Sequence, residues 1–402
     1  MQGVEAFRCR FAEVEEVMAN ILDYLRWRGD LILEQADFNE VDSLILSELS
    51  YLNFSGIAEG EEGISIRDAT EAYFQSGRQS LRNTGDLYNE NYFELLQRMA
   101  ESRRFADMRL RGYVQKFDTE IGMQFSAVTV EIGRKKLYVA FRGTDDTLLG
   151  WKEDFMMSAL TVVPSQQEAV QYLKRAAEYY PGYRILTGGH SKGGNLAVYA
   201  SLHAGKRVQK RIWAVYNHDG PGFRDSVVET PEYQNIAACI QTMVPETSVV
   251  GMLLEHEEHY SVVKSSNKGF TQHDGFSWEV CGPEFVHLSS VSRESKIADM
   301  AIRQVFAELS LEQRLQLTNA LFDTLGAKNS RTLTDIREGK KGIKEILRAY
   351  DGLDKDARKI LQTVLSKIVT ESIRGYKVTK EAAEQQAEEE ATPSKRSRNR
   401  KE

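Results

Sequence analysis

Apolar residues recur along the chain first with a helical period, then with a period of two, and then with a helical period again. MANILDYLRWRGD, Met18 to Asp30, reads as a short amphipathic helix closing at Gly29. NEVDSLILSELSY, Asn39 to Tyr51, reads as a second one, with Asn39 as its N-cap because a short polar side chain can accept the unpaired N–H groups of the first turn. From Ile66 to Ala106 the pattern stays helical, with Tyr73, Phe74, Leu81, Tyr92, Phe93, Leu95 and Leu96 on apolar faces. The first two read as packing elements.

The period then changes. Leu110 to Phe117, Met123 to Ile132 and Lys136 to Phe141 are strand-like runs separated by the turn residues Asp118 to Gly122 and Gly133 to Lys135, which predicts an antiparallel meander. A helix capped by Ser165 follows to Tyr180, and Ile185 and Leu186 then form a short buried strand. After a helix through Leu196, Ala197, Tyr199 and Ala200 come strands at Arg211 to Tyr216, Ala237 to Val244, Tyr260 to Val263 and Phe276 to Val280. Strands alternating with helices predict an α/β fold with a mainly parallel central sheet flanked by helices.

From about Ser292 the strands stop. Ser292 to Leu309, Ser310 to Leu325, Thr334 to Tyr350 and Asp354 to Tyr376 read as four amphipathic helices, with Ser310 and Gln313 spaced as a capping box. Lys380 to Glu402 is an acidic run, then a basic one, without apolar periodicity, and reads as disordered. Weak contact of this tail with anionic lipid or RNA stands beside a merely solubilising role. The expected division is a helical segment at 1–106 packing on the core, a core at 107–291, a helical region at 292–379 and a tail at 380–402.

Composition narrows the class. At 402 residues and 41% hydrophobic content the chain can bury a sizeable core, and a net charge of −7 gives no basic footprint for specific nucleic-acid binding. MQGVEAFRCRFAEVEEV has acidic residues and no apolar h-region, and no run of about 18 apolar residues suggests a transmembrane span, so the expectation is a cytoplasmic protein with at most peripheral membrane contact. Cys9, Cys239 and Cys281 are odd in number and far apart, which suits a reducing compartment and buried thiols, with no metal site or cofactor expected from them.

One stretch carries candidate chemistry: YRILTGGHSKGGNLAVYA, Tyr183 to Ala200, places G-x-S-x-G (Gly189, His190, Ser191, Lys192, Gly193) between a strand and a helix. In a nucleophile elbow the serine sits on a strained turn with its hydroxyl exposed, and its flanking positions stay small because strand and helix nearly collide there. Ser191 needs a base, and the base an orienting acid. His218, His256, His259, His273 and His287 lie beyond the elbow helix, and His273 is the chosen base because it lies in the glycine-bearing loop SSNKGFTQHDGFSW after a strand-like run. His256 and His259, in LLEHEEHY, are alternatively a metal pair, His203 reads as surface, and His190 as a packing or hydrogen-bonding residue. For the acid, Asp219 in NHDGPGF leads, with Glu246 in MVPETS and Asp274 as competitors, while Asp219 also suits an Asx-turn capping its own loop. The oxyanion hole takes the backbone N–H of Lys192 and one from VAFRGTDD, where Gly143 allows close approach and Thr144 could add its hydroxyl. In TLLGWKEDFMM, Leu148, Trp151, Phe155 and Met156 share a face, so the segment to Met157 is either core or a movable lid.

VAFRGT (Val139 to Thr144), W-x-x-D (Trp151 and Asp154) and GHSKGG (Gly189 to Gly194), in this order, resemble the class 3 lipases, a branch of the α/β-hydrolases. The resemblance covers about a third of the chain. It implies Ser191 as nucleophile, Thr144 as oxyanion residue, Lys192 as the residue after the serine, and an α/β-hydrolase fold. The wider chain is similar to an uncharacterised bacterial family of lipase-like proteins whose members are not secreted. Two positions depart from the lipases: Lys192 stands where an apolar residue is usual, and QTMVPETSVVG lacks the D-x-V-P acid motif. Two functions follow as expectations. One is a serine hydrolase acting through an acyl-enzyme on a lipid or acylated small-molecule ester; the other is a hydrolase-fold binding or scaffold module of weak or no activity.

Overall fold

Asn20 opens the first helix by accepting the N–H groups of Leu22 at 2.8 Å and Asp23 at 3.3 Å, while the Asp23 carboxylate accepts the N–H of Asn20 at 3.2 Å. The same reciprocal box joins Asn39 to Val41 and Asp42 at the start of the second. These caps set the bounds of α1 (Ile21–Arg28) and α2 (Glu40–Leu49). The structure is a computed structural model describing residues 19–78, 90–145, 148–157, 160, 162–223, 225–248, 250–251 and 260–292, with isolated positions at 296, 310, 312, 313, 315 and 358. The four helices expected beyond Ser292, the tail, Leu81, His256 and His259 lie outside the described residues apart from those positions. Where a continuous helical pattern runs from Ile66 to Ala106, the described chain has α3 (Ile66–Gln75), α4 (Glu90–Glu101) and then turns to Asp107.

Among the described residues a nine-stranded sheet forms the centre. β1 (Ile64–Ser65), β2 (Arg109–Asp118), β3 (Met123–Gly133) and β4 (Lys136–Phe141) pair antiparallel in sequence order. β5 (Arg184–His190), β6 (Ile212–His218), β7 (Ile240–Pro245) and β8 (Tyr260–Val263) then add in parallel onto β4. The connections carry α5 (Leu148–Met157), α6 (Pro164–Tyr179), α7 (Lys192–His203), α8 (Lys206–Gln209), α9 (Asp225–Val228) and α10 (Pro231–Ala237). β9 (Val280–Cys281) and β10 (Glu284–Phe285) form a separate ribbon, and β11 (His287–Leu288) closes the sheet antiparallel on β8.

Three local expectations are corrected. The cap of α6 is Val163, not Ser165, because Pro164 supplies a preset φ and needs no hydrogen-bond partner at the first helical position. The expected strand at Ala237 starts only at Ile240, since Thr230 and Pro231 start a helix that runs through Ala237. The expected strand at Phe276 to Val280 is mostly a tight turn: the Asp274 carboxylate accepts the Phe276 N–H at 3.1 Å and winds Gly275–Ser277 into a 3-10 turn, overriding the β preference of Phe276 and Trp278.

Alternate residues of each strand face opposite layers. Val128, Val130, Tyr138, Ala140, Leu186, Tyr216 and Met243 join one buried cluster with Ile21, Leu44, Ile45, Leu96 and other residues of the N-terminal helices. Phe125, Ala127, Val139, Phe141, Ile185 and Val215 join another with Leu173, Leu196 and Ile236 of the crossover helices. The reason is topological. Parallel strands added one after another in a single direction through right-handed crossovers send the packed crossover helices to one side. The other face is covered by α1 to α4, whose contacts include hydroxyl bonds from Ser43 and Ser47 to Tyr138 at 2.8 and 2.9 Å. Among the described residues no helix is long and apolar enough to cross a membrane.

Candidate active site

β5 runs straight into the turn that carries Ser191. There the serine has φ 57° and ψ −132°, a left-handed backbone that costs a non-glycine residue on the order of 1–3 kcal/mol. The turn is held by Ser191 N–H donating to His218 O and Gly194 N–H donating to Ser191 O, both at 2.9 Å. Glycine is required on both sides: a Cβ at Gly189 would lie 2.3 Å from the Gly193 carbonyl carbon, and one at Gly193 would lie 2.1 Å from Phe141 O. β4, β5 and α7 therefore meet at van der Waals contact beneath the hydroxyl.

Asp219 and His273 come together at the same end of the sheet. Asp219 follows β6 with φ 53°, a left-handed conformation that aspartate tolerates, and is fully buried. Its Oδ2 lies 2.6 Å from His273 Nδ1, while its Oδ1 accepts from Ser248 Oγ at 2.5 Å and from the Gly251 N–H at 3.1 Å. The carboxylate is thus fixed from β7's following loop rather than capping its own turn. Glu246 engages through its backbone, with its N–H on Val263 O at 3.2 Å and its carbonyl accepting from Ser292 at 2.7 Å. Asp274 caps the turn after the histidine, and burial pushes its pKa up.

The remaining histidines differ in setting. His218, buried at the end of β6, bonds Ser43 Oγ through Nε2 at 2.9 Å, and burial holds its pKa down to about 3. His190 Nε2 lies 2.7 Å from the His273 carbonyl oxygen. His203 is exposed at the end of α7, and His287 meets Glu40 at 2.9 Å near the edge strand.

The two expected oxyanion residues differ in setting, and each retains a backbone N–H. That of Lys192 sits at the first position of α7, where no intrahelical acceptor exists. That of Thr144 follows Gly143 in the loop after β4. The Thr144 hydroxyl donates to the Asp154 carboxylate, so its single proton is engaged there. Burial pushes the Asp154 pKa up to about 6 against the pull of the Lys192 ammonium and the Thr144 hydroxyl. The Lys192 side chain turns inward instead of reaching solvent. Its Nζ bonds Gln124 Oε1 at 2.8 Å, Gln124 O at 3.1 Å and Glu153 Oε2 at 3.1 Å. Glu153, buried on α5, also accepts from the N–H groups of Gln124 at 3.0 Å and Ser165 at 2.9 Å. The segment weighed as a lid is thereby tied at its middle to the elbow; the side chains of Leu148, Trp151 and Phe155 lie outside the described set.

A model of the Mbeg1-like family matches residues 99–323, more than half of the chain. The chain belongs to the Mbeg1-like family. This is a lipase-like family, and the fold is that of an α/β-hydrolase. Among solved structures the chain is similar to an M37 lipase (16% identity, TM-score 0.36, covering 54% of this chain and 70% of that one). It is also similar to a fungal lipase in complex with an inhibitor (14%, 0.35, 60% and 83%) and to the Rhizomucor miehei lipase in its propeptide complex (18%, 0.30, 45% and 62%). At these scores the likenesses say nothing about substrate. No curated protein matches the sequence.

In this Mbeg1-like chain several residues at the site escape a reading of the sequence alone. Gln124, Glu153 and Ser248 bear on the elbow or on Asp219 through contacts 29 to 68 residues apart. Glu48 did leave a signal: Val41, Leu44, Ile45 and Glu48 fall on one face of α2, so the helical period itself marks a carboxyl among core positions.

Proposed function

We propose that the chain is a serine hydrolase of carboxylic esters, with Ser191 as nucleophile, His273 as general base and acid, and Asp219 as the orienting carboxylate. The observation that carries this reading is the 2.6 Å contact of a buried, doubly hydrogen-bonded Asp219 with His273 Nδ1, on loops at the end of the sheet where β5 delivers a strained serine. In the reaction, Ser191 Oγ attacks the ester carbonyl and His273 Nε2 takes its proton. Asp219 keeps the proton on Nδ1 and stabilises the imidazolium. The N–H groups of Lys192 and Thr144 hold the oxyanion, and the alcohol departs with the proton from His273. Water then repeats the sequence on the acyl-enzyme. The lipase-like family supports a lipid or acylated small-molecule ester as substrate.

Ser191→Ala abolishes turnover of short-chain p-nitrophenyl esters while the melting temperature stays within a few degrees, because the hydroxyl is removed without emptying the core. Undiminished turnover in that variant would overturn the mechanism, whereas a folded wild type without turnover would favour the alternative of a hydrolase fold that serves as a binding or scaffold module.

A further inference from the structure

The mechanism above leaves one buried cluster unused. Glu48 of α2 is 1% exposed, its Oε1 lies 3.3 Å from His190 Nδ1, and its Oε2 accepts from Tyr92 Oη at 2.9 Å. Tyr51 Oη stands 3.4 Å from the same Nδ1. On the other side of the ring His190 Nε2 meets the His273 carbonyl oxygen at 2.7 Å, and the two imidazoles lie with centroids 4.7 Å apart. The turn after His273 rests on the same carboxyl: a Cβ at Gly275 would lie 2.5 Å from Glu48 Oε1.

We propose that Glu48 and His190 are positioning residues for His273, forming a hydrogen-bonded chain from Tyr92 through the Glu48 carboxyl and the His190 ring to the main chain of the catalytic base. The inference rests on the ester-hydrolase reading of the site and adds to it a residue from the N-terminal helices, outside the family-matched segment.

The direction of each bond follows from its acceptor. A carbonyl oxygen only accepts, so His190 Nε2 carries a proton and donates to His273. Burial, followed by the neighbouring His273, keeps the His190 pKa well below its ordinary value, so the ring is neutral and Nδ1 is a lone pair. A lone pair requires a donor. Two groups face that lone pair: Tyr51 Oη at 3.4 Å, which also lies 3.4 Å from the His190 carbonyl oxygen and can donate its one proton there, and Glu48 Oε1 at 3.3 Å, which has no other hydrogen-bond partner among the described residues and so suits a carboxylic acid directing its proton to Nδ1. Burial, and next the charge of Asp274, push the Glu48 pKa up to about 8, against the pull of the Tyr92 hydroxyl. The other titratable or charged groups around the cluster are Tyr51, His218, His273 and, beyond Tyr51, Arg142, Asp154 and Asp145.

Ionisation would undo the chain. A Glu48 carboxylate attracts the ring proton to Nδ1, which leaves two acceptors, Nε2 and the His273 carbonyl oxygen, facing each other at hydrogen-bond distance. Because the folded pKa is raised above the ordinary 4.5, the stability supplied by the neutral acid is complete below that value and is lost as pH rises towards 8.

The test is the pH profile of kcat for the full chain, Glu48→Gln and Glu48→Ala, with 15N NMR of the His190 ring on the Ser191→Ala protein. Glutamine retains one donor for His190 and one acceptor for Tyr92 but does not ionise. The wild type loses kcat above about pH 8, Glu48→Gln keeps neutral-pH activity and lacks this alkaline fall, and Glu48→Ala loses about tenfold or more in kcat with little change in KM. The NMR spectrum shows the Nε2–H tautomer at neutral pH and its loss above about pH 8, unless Glu48→Gln is also present. An unchanged alkaline fall in Glu48→Gln, equal damage from glutamine and alanine at neutral pH, or an Nδ1–H tautomer in the neutral range would overturn the inference. An inactive wild type would instead overturn the ester-hydrolase reading, and the tautomer would still decide whether the chain exists.

Discussion

Glu153 and Glu48 lie buried on either side of the elbow, one from the crossover layer and one from the N-terminal layer, and each is stabilised differently. Glu153 faces the Lys192 ammonium and two backbone N–H groups. Glu48 faces one tyrosine hydroxyl, an imidazole lone pair and the turn at Gly275, and its pKa rises to about 8. A buried carboxylate persists when a cation and several donors replace its water; without a cation the cheaper solution is to retain the proton. The crossover layer thus keeps a compensated charge inside the core, whereas the N-terminal layer supplies a neutral acid. The layers also differ in origin. The crossover helices follow from strand order, while α1 to α4 cover a face that the crossovers leave bare.

The largest expected effect sharpens the contrast between the carboxyls of the site itself. Asp219→Asn should lower kcat on p-nitrophenyl esters by about three to four orders of magnitude, because His273 loses both its orientation and its counter-charge. Glu246→Gln should cost about tenfold or less, its ties being through the backbone. The reverse ranking would move the acid role to Glu246.

The charged side of the comparison is broken by Lys192→Met. With Lys192 1% exposed and Glu153 fully buried, the change leaves an uncompensated carboxylate and should destabilise the fold by about 3–5 kcal/mol in urea titration. The folded fraction should still hydrolyse ester, since the proposed oxyanion donor is the backbone N–H. Loss of less than about 1 kcal/mol would show that the pair is not what fixes α5 to the elbow.

A smaller effect tests whether the two layers are equally part of the fold. Leu44→Ala in α2 and Leu196→Ala in α7, both fully buried, should each cost about 2–5 kcal/mol and melt in a single transition. A separate early transition in Leu44→Ala alone would make the N-terminal layer a loosely docked appendage.

Much of this architecture is legible in the sequence where the signal is local. The meander from β2 to β4 follows from alternation between turn residues, Asn39 identifies its own cap, and the glycines around Ser191 state how close strand and helix must come. The less legible features depend on distant partners. Lys192 reads as tolerable after a serine, yet its ammonium is held by residues 39 and 68 positions away. Which of Asp219, Glu246 and Asp274 faces His273 depends on how the loops after β6, β7 and β8 fold against one another, and nothing within any one loop reports that. Phe276 and Trp278 look like strand residues, but the preceding Asp-Gly pair winds the backbone into a turn.

Covalent labelling tests most directly whether Ser191 is an activated nucleophile. Intact-mass and peptide mapping after incubation with a fluorophosphonate should find one adduct, on Ser191, absent from Ser191→Ala and strongly slowed in Asp219→Asn. A folded wild-type chain that takes no adduct at Ser191, or takes it elsewhere, would contradict the account.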